Sequence, residues 1–245
     1  MARRARFDAR QLRITRGALV VAGLELGASL VVLLCDSETR ATIFDYAAAT
    51  AGNVFGRGRV WTLATSPFLQ PDFLGLLLNL FVLWAFVPTL ERFWGTRRFY
   101  RFVAITSLVG TVAGSAMGLV TGRPDMAIVG LSPFVYASIV AFGVVYARQP
   151  VQFFGVLPLS GRQLMWGFIG FLVLFVLLQG LWEQGAAFAA AMVAAAVMTS
   201  KRWSPGLAWR RWRIARARAR LSVLEGGVRD VRPKPPKRPD ERFIN

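Results

Sequence analysis

The chain lacks histidine altogether, has one cysteine, and has only three lysines among its 30 basic residues. Histidine is the side chain that most often serves as a general base near neutral pH, and the chain therefore lacks the usual residue for this role. The single cysteine, Cys35, excludes an intramolecular disulfide and a thiolate cluster. Because conventional zinc sites use histidine and cysteine, no metal is expected, and the sequence indicates no cofactor.

Apolar residues are abundant, at 55% of the chain, and the mean hydropathy is +0.46. A helix needs about 18–20 apolar residues to cross the hydrocarbon core of a bilayer. Runs that approach this length predict an all-α membrane protein with six spans, at 17–35, 73–90, 102–120, 126–146, 164–181 and 185–200. The connection at 36–72 is too long for a simple linker and predicts an interfacial structure.

Arginine is distributed unevenly and predicts the orientation. The N-terminal segment, the loops after the second and fourth predicted spans, and the C-terminal tail are basic, whereas the other loops are acidic or mixed. Cytoplasmic loops carry the excess of Lys and Arg, and an even number of spans places both termini on one side. We therefore expect cytoplasmic termini. The many arginines and alanines suggest a GC-rich genome and a bacterial cytoplasmic membrane.

The same pattern divides the chain into a basic N-terminal segment at 1–16, a membrane domain at 17–200 and a basic tail at 201–245. The stretch 208–221 can form a helix dense in arginine, with two tryptophans. Such a helix suits anionic lipid, and because it follows a span directly we favour lipid over nucleic acid. The predicted lipid-binding residues are Arg210, Arg211, Arg213, Arg216, Arg218 and Arg220. The proline-rich stretch 232–239 predicts an extended or disordered end.

Five segments resemble, in order and at compatible spacing, motifs of the rhomboid intramembrane proteases. They lie at 60–69, 76–80, 90–99, 130–137 (GLSPFVYA) and 153–163, so the resemblance covers most of the membrane part. It implies a six-transmembrane-helix rhomboid-like bundle. In that family Ser132 would correspond to the nucleophile, Tyr136 to its neighbouring tyrosine, and Asn79 to an asparagine that helps to hold the oxyanion. These three residues form the expected rhomboid-like cleft.

The departures from the family pattern concern its catalytic residues. Gly75 stands where the proteases place a histidine, and in the best register Ala187 stands at the histidine of the last span. Pro133 replaces the usual glycine after the serine and has no backbone N–H to donate. A serine hydroxyl is a weak nucleophile without a base, so no catalytic residue is expected: Ser132, Gly75 and Ala187 are interpreted as vestigial positions.

The resemblance therefore predicts an inactive, derlin-like or inactive-rhomboid-like pseudoprotease. It would bind transmembrane segments of other proteins and affect their stability, trafficking or assembly. Two alternatives stay open: a divergent rhomboid serine protease with Ser132 as nucleophile, and a structural subunit of a bacterial membrane complex. The expected partners are anionic membrane lipids and transmembrane clients or a membrane complex, with no nucleic acid.

Three further features allow a structural interpretation. Ser132, at the start of a helix, is more often a packing or capping hydroxyl than a nucleophile. The glycines of two spans, Gly110-Gly114-Gly118 and Gly23-Gly27, favour close helix packing within the protein. Glu25 lies inside a span, where ionisable groups are costly; it is protonated, paired with an arginine, or directed at a partner.

Overall fold

The computed structural model describes residues 14–147, 150–153 and 157–200, together with 213, 214 and 216. Helices dominate this part of the chain. They are α1 (Arg16–Leu34), α2 (Ser37–Ala47), α3 (Thr62–Thr65), α4 (Phe73–Ala85), α5 (Val87–Trp94), α6 (Thr96–Val120), α7 (Ser132–Val145), α8 (Gly161–Gln179) and α9 (Trp182–Thr199). A π-helical turn (Gly52–Gly56) precedes α3, and a 3-10 turn (Ser66–Phe68) follows it. A short antiparallel hairpin, β1 (Pro150–Phe153) and β2 (Leu157–Ser160), precedes α8. The apolar pattern of the sequence had not indicated this hairpin.

Among the described residues, three helices are long and apolar enough to cross a bilayer: α1, α6 and α8. A fourth span is counted if 62–68 is taken together with α4, from which it is bent by 90°. Helix α7 has 14 residues and is about 21 Å long, short of the ~30 Å hydrocarbon core. Helix α9 has 18 residues but carries the polar Glu183 and Gln184 in its first turn. An all-helical membrane architecture is thus supported, and the count of six spans stays a prediction.

The fourth predicted span, 126–146, begins too early. Helix α7 starts only at Ser132, because the preceding segment is held in a non-helical form by other parts of the chain. The Ile128 amide donates to the Ala49 carbonyl at 2.8 Å, and the Gly130 amide donates to the Ser66 carbonyl at 3.0 Å. Apolar composition alone did not distinguish this non-helical segment from the helix that follows.

The second predicted span, 73–90, is divided between two helices. Helix α4 ends at Ala85, and α5 begins at Val87 with Pro88 in its first turn. Proline fits there because its missing N–H would have no partner inside the helix. The fifth span is displaced by a few residues, since Ser160 and Gln163 form a capping box that starts α8 at Gly161.

Helix α7 forms the centre of the bundle, packed against α6, α8 and α9. Most of its residues are buried. The Phe134 ring contacts Phe99 and Phe102 of α6 with centroid separations of 6.2 and 5.9 Å. Edge-on aromatic contacts of this kind add to the energy of burial.

Glycines bring α6 close to α9, as predicted for 110–118. A Cβ atom at Gly114 would lie 2.8 Å from Ile128 Cγ1 and 3.0 Å from the Ala187 Cβ. A Cβ at Gly110 would lie 2.7 Å from the Pro133 Cβ. The prediction of internal packing was wrong for Gly23 and Gly27, because a Cβ atom at either would meet nothing within 4 Å in the described part of the chain. Hydropathy does not distinguish an inward-facing glycine from an outward-facing one.

Glu91 of α5 caps the N-terminus of α1. Its carboxylate accepts hydrogen bonds from the Gly17 amide at 3.0 Å and the Ala18 amide at 2.8 Å. The hydroxyls of Thr15 and Thr96 also donate to it. A Cβ at Gly17 would lie 2.6 Å from Glu91 Oε1, so only glycine permits this approach.

The connection at 36–72 is structured, as predicted. Asp36 caps α2 by accepting from the Glu38 and Thr39 amides at 3.1 and 3.0 Å. Asp45 pairs with Arg57 at 2.7 Å and Arg59 at 3.0 Å. Side-chain hydrogen bonds from these arginines hold the pKa of Asp45 below its usual value, and the bond from Arg59 has the larger effect. This connection is therefore a folded layer rather than a flexible linker.

The chain divides into two compact units, Met1–Arg202 and Trp203–Asn245. Of the predicted amphipathic tail helix, the structure describes Arg213, Ile214 and Arg216, which are helical and exposed. The other predicted lipid-binding residues, Arg210, Arg211, Arg218 and Arg220, lie outside the described residues, as does the predicted N-terminal segment up to residue 13.

Candidate functional site

A polar site lies in the middle of the bundle, between α1, α4 and the start of α7. Glu25 stands nine residues from either end of α1, about 14 Å along the helix, and its side chain is fully buried. Asn79 of α4, 5% exposed, donates from Nδ2 to Glu25 Oε1 at 2.8 Å. The backbone of Leu131, directly before α7, lies close to the same carboxylate. The acid therefore joins three parts of the chain.

Ser29 extends the polar site by one turn of α1, since residues four apart share a helix face. Its hydroxyl donates to the Phe68 carbonyl and accepts from the Gln70 amide, both at 3.2 Å. These bonds fix the loop between the 3-10 turn and α4 against α1.

The Gln70 side chain continues toward the start of α4. Its Nε2 donates to Asp72 Oδ2 at 2.9 Å, while Asp72 Oδ1 accepts from the Gly75 amide at 2.5 Å and caps α4. A Cβ at Gly75 would meet the Gln70 amide and the Asp72 carboxylate. The first vestigial histidine position is therefore occupied by a helix cap that leaves no room for a larger side chain without rearrangement.

Gly130 allows Gln70 to approach α7. It has φ +83°, a conformation that favours glycine, and a Cβ there would collide with Gln70 Oε1. Ser66 holds the same segment, because its hydroxyl donates to the Ile128 carbonyl. The start of α7 is thus positioned by buried hydrogen bonds from both sides of 128–131.

Ser132 is the first residue of α7 and is half-buried. Its side chain does not cap the helix, and no hydrogen bond of its hydroxyl is found among the described residues. Of the two structural interpretations of Ser132, capping is therefore wrong for this helix.

Tyr136 and Ala187 have different neighbours from Glu25 and Asn79. The Tyr136 ring contacts Phe188 of α9 with centroids 4.8 Å apart, beside Leu172 and Val176 of α8. Ala187, the second vestigial histidine position, is fully buried against the glycines of α6. The structure thus links Asn79 to the start of α7 through Glu25, whereas Tyr136 and Ala187 pack into apolar surroundings.

Sequence reasoning identified Glu25 and Asn79 separately but did not predict that they pair. It missed Ser29, Gln70 and Asp72 as parts of the same site. The spacing of Glu25 and Ser29 on one helix face was the available signal. The loop residues had no such signal, because their contacts depend on how the loop returns onto α1.

The outer surfaces of α1, α4 and α8 are apolar and the centre is polar. Leu34, Leu74 and Leu178, for example, are largely exposed, while Glu25 is fully buried. This distribution is that of a helical integral membrane protein.

The family model described as Eukaryotic integral membrane protein (DUF1751) matches residues 18–203, most of the chain, and the chain belongs to this family. A comparison with curated proteins gives no match. The family's description does not support the bacterial origin expected from composition.

Proposed function

We propose that this protein is a rhomboid-like pseudoprotease that binds transmembrane segments of other membrane proteins and affects their stability, trafficking or assembly. The order of the five resembling segments supports the rhomboid-like bundle of six helices. A short central helix that begins at Ser132, inside the bundle, is compatible with it.

The observation that carries the proposal is a serine-bearing helix in a chain without histidine. The Glu25 carboxyl group lies close to the backbone of Leu131, the residue before Ser132, and Asn79 already donates a hydrogen bond to it. A general base must lie within hydrogen-bond reach of the hydroxyl that it deprotonates. No such bond to Ser132 is found in the described part of the chain. Removal of a triad's base lowers turnover by several orders of magnitude.

Proteolysis is tested with the purified full chain in nanodiscs, beside an active rhomboid protease under the same conditions. We expect no labelling by a fluorophosphonate probe and no cleavage of transmembrane substrates that the active enzyme cuts. Ser132→Ala should leave both readouts unchanged. Labelling or cleavage that disappears in Ser132→Ala would overturn the pseudoprotease proposal in favour of the divergent serine protease.

Client binding is tested by affinity capture from native membranes with the wild-type chain and with Asn79→Leu and Tyr136→Leu. We expect single-span membrane proteins to co-purify with the wild-type chain and to be depleted by the variants. Val193→Leu, at an exposed position of α9, is the matched control. Capture of one protein set at fixed stoichiometry, unaffected by either variant, would instead favour a structural subunit of a membrane complex.

The basic segments support cytoplasmic termini for this protein in whichever membrane it resides. The arginine-rich tail would then face the anionic cytoplasmic leaflet, where each basic residue contributes about 1 kcal/mol of attraction. Lipid is thus proposed as a partner of the tail and transmembrane helices as partners of the bundle.

A further inference from the structure

Two buried oxygen atoms at the polar site have no hydrogen-bond donor in the described part of the chain. They are Oε2 of Glu25 and Oε1 of Gln70. Glu25 is fully buried and Gln70 is 7% exposed. A buried acceptor without a partner costs roughly 1–3 kcal/mol, and more when the group is charged. The fold keeps two such atoms in one place.

Both acceptors converge on the segment that leads into α7. The Glu25 carboxylate lies close to the backbone of Leu131, and Gln70 Oε1 lies against Gly130. Ser132 follows immediately, with its hydroxyl half-buried. The side chains of Glu25 and Gln70 thus lie against residues 130–131, and Ser132 adds a third oxygen next to them, near the middle of the membrane domain.

The charge of the site is unbalanced. Asn79, which donates to Glu25, is neutral, and no basic side chain contacts Glu25 among the described residues. An ionised carboxylate in a medium of low dielectric constant requires a cation or a proton. A lysine ammonium or an arginine guanidinium would neutralise Glu25 and provide enough N–H donors for both acceptors.

Part of the surface of α4 is apolar and exposed. This helix packs against α1, α5 and α7, but it makes no extensive contact with α8 in the described part of the chain. Leu74 and Leu78 of α4 and Leu174 of α8 are exposed apolar side chains that a helix in lipid can contact. Gly75 is only partly buried. A long polar side chain of an incoming helix would reach the site here by displacing the Gln70 side chain from Gly75, while the rest of that helix stays in apolar contact.

We propose that the polar site binds a basic side chain, lysine or arginine, in the membrane-embedded segment of a partner helix. This inference rests on the proposed client-binding function and specifies the client: a span with a central positive charge. Glu25 would provide the countercharge, and Gln70 Oε1 and the Ser132 hydroxyl would accept the remaining N–H groups.

The test measures binding of synthetic polyleucine transmembrane peptides to the full chain in nanodiscs by energy transfer. One peptide has a central lysine, the second has leucine there and the third has glutamate. We expect the lysine peptide to bind at least tenfold more tightly than the leucine peptide and the glutamate peptide to bind most weakly. Glu25→Gln should remove the preference for lysine. Glu183→Gln, at a buried carboxylate of α9 whose Oε1 accepts from Thr121, should retain it.

The outcomes separate the inference from the function on which it rests. Equal binding of all three peptides to the wild-type chain would overturn the inference and leave client binding standing. No binding of any peptide would overturn both. A preference for lysine that persists in Glu25→Gln would place the site elsewhere and also overturn the inference. If Glu25→Gln does not fold, the inference is decided by the order of affinity of the three peptides for the wild-type chain.

Discussion

At the residue scale, Glu91 stabilises a helix to which it does not belong. It is 4% exposed, and its carboxylate accepts hydrogen bonds from Thr15, Gly17, Ala18 and Thr96. Anionic groups are favourable at a helix N-terminus, where backbone N–H groups lack partners. Helix α1, which contributes Glu25 to the polar site, is therefore anchored by α5.

Replacing Glu91 by glutamine should destabilise the protein by about 1–3 kcal/mol, because an amide accepts at only one of its two terminal atoms. The unfolding midpoint in a mild detergent measures this effect. Glu38→Gln, on the exposed surface of α2, is the matched control and should change the midpoint little. Equal stability of the Glu91 variant and the wild-type chain would contradict the role assigned to this cap.

The same residue predicts a dependence on pH. Burial alone raises the pKa of Glu91, but the hydrogen bonds that it accepts outweigh burial, and its pKa lies below the usual value. A lowered folded-state pKa means that the stabilisation is complete above the unfolded-state pKa and is lost as the pH falls through the folded-state pKa. The difference in stability between the wild-type chain and Glu91→Gln should therefore shrink below about pH 4. A difference that is constant from neutral to acidic pH would contradict this account.

At the scale of elements, the bundle depends on how closely α6 approaches α9. Gly114 leaves no room for a Cβ between Ile128 and Ala187, whereas Gly27 of α1 has open space around it. Two glycines with similar apolar surroundings in the sequence therefore have opposite packing roles.

Gly114→Val should destabilise the bundle by about 1–3 kcal/mol or more, because overpacking forces backbone displacement. Gly27→Val is the matched control and should be close to neutral. Unfolding in detergent at the two positions measures the contrast. A neutral effect at Gly114 would show that α6 and α9 separate easily.

At the scale of the whole molecule, the predicted orientation can be measured directly. Reporter fusions after Ser200 and within 36–72 should report opposite sides of the membrane, with the site after Ser200 in the cytoplasm. The same side for both fusions would contradict the even number of spans.

The arginine-rich tail gives a second prediction at this scale. A peptide of residues 208–221 should bind anionic vesicles, and added salt should weaken the binding. The control peptide has glutamine at Arg210, Arg211, Arg213, Arg216, Arg218 and Arg220 and should bind weakly. Equal binding of the native peptide to neutral vesicles would contradict an electrostatic mechanism.

The sequence alone determined the class of this protein and the position of its most regular helices. The predicted first span, 17–35, differs from α1 by one residue at each end, because a long apolar run in lipid has to satisfy its backbone internally and becomes a helix. The third predicted span, 102–120, ends with α6 but begins six residues after it, and the fifth, 164–181, is displaced from α8 by two to three residues. Because the chain contains no histidine, its composition also excludes histidine as a catalytic base.

Only the tertiary structure decided which polar groups meet. Glu25 and Asn79 are separated by 54 residues, and Thr15 and Glu91 by 76. The hydropathy of a span shows that a buried polar group needs a partner, but it does not name the partner. The start of α7 was decided in the same way, since Ala49 and Ser66 hold the segment before Ser132 in a non-helical form. Local sequence determines which segments prefer a helix, whereas contacts between distant segments determine where that helix begins and what its polar side chains bind.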